Sequence, residues 1–192
     1  MKRFLILFLM LAGFTSGAQN PEILKGASTL YDSNYNMDFE PIAEITYPKV
    51  VEQVGGREKF LAKLDNDYQN EKFRKRLQLT SPVFQVGPEK TIGGKSFCVV
   101  SFRNPTRYFY EDKLDTDAMA KEVANWKNIA ATKEVYGEPN RNSINVKRVS
   151  FIVAVKDETT GGNWKFFNLD DLDQLAVFDN VISAETKKQL GL

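Results

Sequence analysis

The stretch from Val149 to Phe167 limits the fold more than any other part of the chain. It reads Val-Ser-Phe-Ile-Val-Ala-Val-Lys, then Asp-Glu-Thr-Thr-Gly-Gly-Asn, then Trp-Lys-Phe-Phe. That is a long strand, a tight polar loop and a returning strand. Side chains alternate across a strand, so Val149, Phe151, Val153 and Val155 share one face. Ile152 and Ala154 make the other face apolar too, which predicts a strand covered on both sides at the centre of a sheet.

The helical period dominates before this hairpin. Phe39, Ile42, Ala43, Tyr47, Val50, Val51 and Val54 recur at three- and four-residue spacing, predicting a helix from Asp38 to Val54. Asp38 is its expected cap, Pro48 its expected kink, and Gly55-Gly56 its end. A second helix is expected from Arg57 to Glu71, with Phe60, Leu61, Leu64 and Tyr68 on its apolar face. From Leu77 the period becomes that of strands, through Leu79, Val83, Phe84 and Val86. Gly93-Gly94 marks a hairpin turn leading into Lys95 to Phe102. Arg107 to Glu111 reads as a short strand. Thr116 to Val135 reads as an inserted helix with Met119, Val123, Trp126 and Ala130 buried, a cap at Asp115 or Thr116, and a stop at Gly137 and Pro139. Asn140 to Asn145 reads as a polar loop. Leu169 to Phe178 and Ser183 to Leu190 read as short helical pieces. Helices grouped ahead of antiparallel strands indicate α+β rather than alternating α/β.

The first residues have the three parts of a secretory signal: Lys2-Arg3, an apolar run from Phe4 to Phe14, then small residues to Ala18. The run is shorter than the roughly 20 residues of a spanning helix. No cysteine follows it to carry a lipid. The expected organisation is a signal peptide at 1–18, an extended lead-in at 19–37 and a single α+β domain at 38–192. The mature chain is then periplasmic or extracellular, soluble and not a lipoprotein, with no membrane span. Removing Lys2 and Arg3 leaves 24 basic residues against 25 acidic ones, a net charge of −1. Nothing in that balance suits a nucleic acid.

The chain has no histidine and one cysteine, Cys98. A Ser-His-Asp triad, a Cys-His pair and the usual zinc sites are thereby excluded. No phosphate loop or dinucleotide fingerprint is present. No cofactor and no metal is expected. Cys98, inside Phe97-Cys98-Val99-Val100, reads as a buried apolar residue. Asp170, Asp171 and Asp173 lack the glycine and terminal glutamate of a calcium loop. Tyr108 and Tyr110, flanking Phe109, read as core or rim packing and as candidate ligand contacts.

Thr46-Tyr47-Pro48-Lys49-Val50-Val51 with Gly55-Gly56-Arg57-Glu58-Lys59-Phe60 resembles the paired opening helices of small secreted bacterial proteins in the nuclear transport factor 2-like (cystatin-like cone) superfamily. Val149 to Val155, Asp157 and Gly162-Asn163-Trp164-Lys165-Phe166 are similar to that group's closing hairpin, and Val181-Ile182-Ser183 with Leu190 to its ending. The resemblance implies a curved antiparallel sheet, helices packed on it, and a cavity between them. The loop before Trp164 is longer than in that group, and the helix from Thr116 looks inserted, which leaves the topology between Phe102 and Asn145 open. The superfamily's isomerases and dehydratases use Tyr, Asp or His in the cone, and no such set is matched here.

On this basis Tyr47, Phe97, Val99, Phe151, Val153 and Trp164 are the candidate pocket walls. The expected role is a non-catalytic one, binding a small apolar molecule or a protein partner. The alternatives are a metal-independent enzyme using tyrosines and carboxylates in the cone, and a structural interaction module with a filled core.

Overall fold

A computed structural model describes residues 20–192. The expected signal peptide and its cut after Ala18 lie outside the described residues. The chain runs α1 (Pro21–Asn36), α2 (Glu40–Ile45), α3 (Pro48–Val54), α4 (Arg57–Tyr68), β1 (Phe73–Leu77), β2 (Gln85–Val86), β3 (Lys90–Ile92), β4 (Lys95–Arg103) and β5 (Thr106–Tyr110). It continues with α5 (Thr116–Ile129), β6 (Val135–Glu138), β7 (Ser143–Val146), β8 (Val149–Lys156), β9 (Lys165–Asn168), α6 (Leu172–Val181) and α7 (Ala184–Leu190). The fold class is α+β, with N-terminal helices ahead of antiparallel sheets that do not close. Among the described residues no helix is long and apolar enough to cross a membrane.

One sheet has the order β1-β5-β7-β6 and the other β2-β4-β8-β9, with β3 also on β4. The expected hairpin of β8 and β9 is present, and β8 lies inside its sheet. The two sheets share one ribbon. Arg103 faces Val149 in the second sheet, and Thr106 faces Val146 in the first, so the register passes through Asn104 and Arg148 without a slip. The Asn104 N–H donates to the Arg148 carbonyl at 2.9 Å across the junction. Facing residues of an antiparallel pair lie on the same side, so one surface runs unbroken from Val100 and Ile152 through Asn104 and Arg148 to Tyr108 and Ile144. Residues of both sheets line one cavity, so that surface is concave.

Helices cover the second sheet on both faces. On the concave side α1 brings Tyr31 edge-on to Phe102 (5.6 Å between centroids), and Gly26 lies against the ring of Phe166. On the other side Tyr47 stacks on Phe167 at 4.5 Å and Phe178 meets the same ring at 5.2 Å. The first sheet has its own core of Tyr108, Tyr110, Met119, Val135, Ile144 and Val146 under α5.

Several expectations are corrected. The stretch expected as an extended lead-in is α1. Asn20 caps it by accepting from Glu22 N–H, Pro21 sits in its first turn, and Ile23, Ala27, Leu30 and Tyr31 form its buried stripe. The helix expected from Asp38 to Val54 is two helices. Proline drives the preceding residue out of the helical region, and Tyr47 is extended (φ −58°, ψ 129°). Its N–H donates to the Phe166 carbonyl at 3.0 Å, so the break joins the edge of β9. Asp38 caps nothing; its N–H closes α1 on the Ser33 carbonyl.

The inserted helix is capped by Asp115 as expected but ends at Ile129, and Val135 begins β6. Gly137 does not stop a helix: it lies in β6, where a Cβ would stand 2.5 Å from Met119 Sδ, so it lets α5 approach the strand. The loop expected at Asn140 to Asn145 is a single helical turn followed by β7, which carries the buried Ile144 and Val146.

Gly26 has a similar role on α1. A Cβ there would lie 2.1 Å from the buried Phe166 ring. Gly26→Ala adds helix propensity but overpacks this contact, and a net loss of about 1–3 kcal/mol is expected. Urea unfolding measures it; a stabilised variant would show that the ring moves aside freely.

Candidate functional site

β1 is the strand that the sequence hides. Its residues Phe-Arg-Lys-Arg-Leu pair with β5, placing Lys75 opposite Tyr108 and Phe73 opposite Tyr110 on the concave surface. Lys75 thus lies on the interior side of a run that otherwise reads as solvated charge. α1 and α4 close the other side of the hollow with Asn34 and Tyr68.

The hollow has two connected parts. An inner chamber of about 30 Å³ is lined by Leu30, Tyr31, Leu77, Phe102 and Ile152, with Asn104 at its wall. Such a volume suits a group the size of water. A vestibule of about 380 Å³ opens outside it, lined by Tyr108, Trp126, Arg148 and Asp171 among others. Asn34, Tyr68, Lys75, Asn168 and Asp170 border both parts.

The aromatic side of the vestibule is fixed in place. Tyr108 and Trp126 stack at 3.8 Å, and Phe73 meets both edge-on. The indole N–H of Trp126 donates to the Tyr110 hydroxyl at 2.9 Å, and that hydroxyl donates to Glu122 at 2.8 Å. Burial holds the phenols of Tyr68 and Tyr108 well above their usual range, so both are neutral.

The charges are mostly spoken for. Lys63 contacts Asp67 at 2.6 Å, Asp171 at 3.0 Å and Asp173 at 3.3 Å. Burial works against its charge, but the bonds to Asp67 and Asp171 outweigh it, and its pKa lies above the lysine range. Arg148 reaches Asp170 at 3.1 Å. The same carboxylate oxygen accepts from Ser150 Oγ, which in turn accepts from Asn104 Nδ2 at 2.9 Å.

Lys75 is the exception. Its ammonium makes no ion pair and no hydrogen bond among the described residues, and sits 4.4 Å from the centre of the Tyr68 ring. The side chain keeps some surface toward the cavity, with protein around the rest. Loss of water and the nearby Arg148 lower its pKa to about 8, against the opposing pull of Asp170, Asp67 and Asp171. Asn104 Oδ1 is likewise buried with no donor among the described residues. The hollow therefore offers one uncommitted cation and one uncommitted acceptor beside an aromatic wall.

The six candidate walls from the sequence do not line either part. Phe97, Val99 and Val153 share the opposite face of the second sheet with Phe167, and Tyr47 packs there. Tyr47, Phe97 and Val153 are buried, and Val99 is half-buried. Phe151 lies on that same face near the junction and is 39% exposed. Trp164 is 8% exposed, with Lys156 5.2 Å from its ring centre. Of the residues singled out in the sequence, Tyr68, Tyr108, Trp126, Asp170, Asp171 and Asp173 do reach the hollow. Lys75 and Arg148 were missed; the signal that could have found Lys75 is the alternation Phe73, Lys75, Leu77, which puts a lysine between two apolar neighbours on one face.

Among the described residues no group of three or more His, Cys, Asp and Glu side chains is arranged to hold a metal. Cys98 is buried, its thiol donating to the Gly87 carbonyl at 3.2 Å, and burial pushes its pKa up to about 11. No family model matches the chain, and no curated protein or solved structure does so.

Proposed function

We propose that this chain is an exported, non-catalytic binding domain that holds a small organic molecule in the concave hollow. The ligand has a flat apolar body against Tyr108 and Trp126 and an oxygen-bearing polar group at Lys75. The observation that carries this reading is the uncommitted ammonium of Lys75 inside a cavity whose other cations are paired. The cavity wall is mixed: Phe73, Tyr108 and Trp126 supply an apolar face, and Asn34, Lys75 and Asn168 supply polar groups that orient a ligand on it. The open vestibule favours ligand binding over a filled interaction module. The hollow between helices and a bent antiparallel ribbon supports the resemblance to the nuclear transport factor 2-like superfamily and, through it, an exported binding role.

Benzoate tests the reading. At 100 times its dissociation constant a ligand adds about 2.7 kcal/mol to stability. Benzoate is expected to raise the melting temperature of the protein and to change the fluorescence of Trp126, read in a Trp164→Phe background that removes the other tryptophan. Lys75→Met is expected to abolish both effects. No response to benzoate, or an equal response in Lys75→Met, removes the proposal.

A further inference from the structure

We propose that Lys75 captures carbonyl compounds covalently, as a reversible imine with an aldehyde or ketone held in the concave hollow. This rests on the hollow being a ligand site and names the class of ligand.

Three observations favour an amine that reacts rather than one that only attracts. Lys75 lines the vestibule as well as the inner chamber, so a ligand in the vestibule meets it. Its nitrogen makes no ion pair among the described residues, whereas Lys63 is held by three carboxylates. The face of Tyr68 lies beside it at 4.4 Å; the ring attracts the cation but gives it no hydrogen-bond acceptor, so it holds the charge less firmly than the carboxylates hold Lys63. The charged and titratable groups around it are Asp67 and Tyr68 from α4, Tyr108 from β5, Arg148 before β8, and Asp170 and Asp171 before α6. Lysines desolvated beside another cation are activated in this way. With its pKa lowered to about 8, more of Lys75 is neutral amine at pH 7 than of an ordinary lysine.

The step balances without any further reagent. The amine lone pair attacks the carbonyl carbon, and a proton passes from nitrogen to the former carbonyl oxygen, giving a carbinolamine. The remaining N–H proton and the hydroxyl leave as water, and the C=N bond forms. No atom is oxidised or reduced. Water reverses the sequence and frees the ligand.

Benzaldehyde with cyanoborohydride tests this on the whole exported chain. Hydride from the reagent fixes any imine as a secondary amine, and peptide mapping by mass spectrometry locates it. At pH 7 Lys75 is expected to be labelled about tenfold or more faster than the exposed lysines, because so much more of it is neutral. Its labelling should level off above pH 8, while that of exposed lysines keeps rising. Excess benzoate should protect Lys75 alone, and Lys75→Arg should lose the fast site without moving it to Lys63. If Lys75 is labelled no faster than exposed lysines while benzoate still stabilises the protein through Lys75, covalent capture is wrong and the binding site stands. If labelling is unselective and benzoate has no effect, both fall.

Discussion

Asp170→Asn is expected to lower the unfolding free energy by about 3 kcal/mol or more, because it leaves a largely enclosed guanidinium without its carboxylate. Arg148 and Asp170 are 3.1 Å apart, with side chains 16% and 14% exposed. The same oxygen also accepts from Ser150 Oγ. An asparagine keeps the shape but must present either an uncharged oxygen or an NH₂ to these donors, and the latter opposes donor to donor. Arg148 and Ser150 belong to the shared ribbon, whereas Asp170 belongs to the turn before α6. The carboxylate therefore fastens α6 to the place where the two sheets meet. Urea unfolding checks the result. A loss below about 1 kcal/mol, the range of solvent-screened pairs, would mean that water reaches the pair freely.

Trp164→Ala carries the second large effect, about 3–5 kcal/mol, the usual cost of emptying the place of a buried aromatic residue. Trp164 is 8% exposed and packs in the main core. Its indole N–H is buried with no acceptor among the described residues. A donor left in that state is destabilising by about 1–3 kcal/mol. Trp164→Phe removes that donor while keeping most of the ring, so it should cost far less than the alanine change. Denaturant unfolding of the two variants separates the volume lost from the orphaned donor. Equal losses in both would place the value of Trp164 in a polar contact.

The elements legible in the sequence were those whose pattern agrees with their packing. The hairpin of β8 and β9 is apolar on both faces and is covered on both. The Gly93-Gly94 turn has positive φ at both residues, as a tight hairpin turn requires. α4, α6 and α7 carry clear apolar stripes or caps. The elements that escaped have local chemistry opposed to their place. α1 contains Gly26, Ser28, Thr29 and Ser33, poor helix formers, and Gly26 is there because Phe166 needs the space. β1 is mostly charged, yet its lysine, Lys75, faces inward. Ile144 and Val146 form a strand within a polar neighbourhood, paired on one side by the preceding β6 and on the other by the distant β5.

The site was less legible than the fold for the same reason. Apolar alternation in β4 and β8 pointed to residues that fill the core, because periodicity reports burial and a ligand cavity is a place where burial is incomplete. The polar hollow is assembled from Asn34, Lys75, Arg148 and Asp170, which lie far apart in sequence. Only Asp170 belonged to a cluster conspicuous in the sequence, and there as a failed calcium loop.

The unbroken register through Asn104 and Arg148 has a consequence for cooperativity. Two sheets with separate apolar clusters could in principle melt one after the other, as neighbouring domains do. Here β4 runs on into β5 and β7 into β8 in one register, so opening one sheet pulls apart hydrogen bonds that continue directly into the other. The two clusters are thereby joined into a single unfolding unit, and the hollow between them exists only while both are intact.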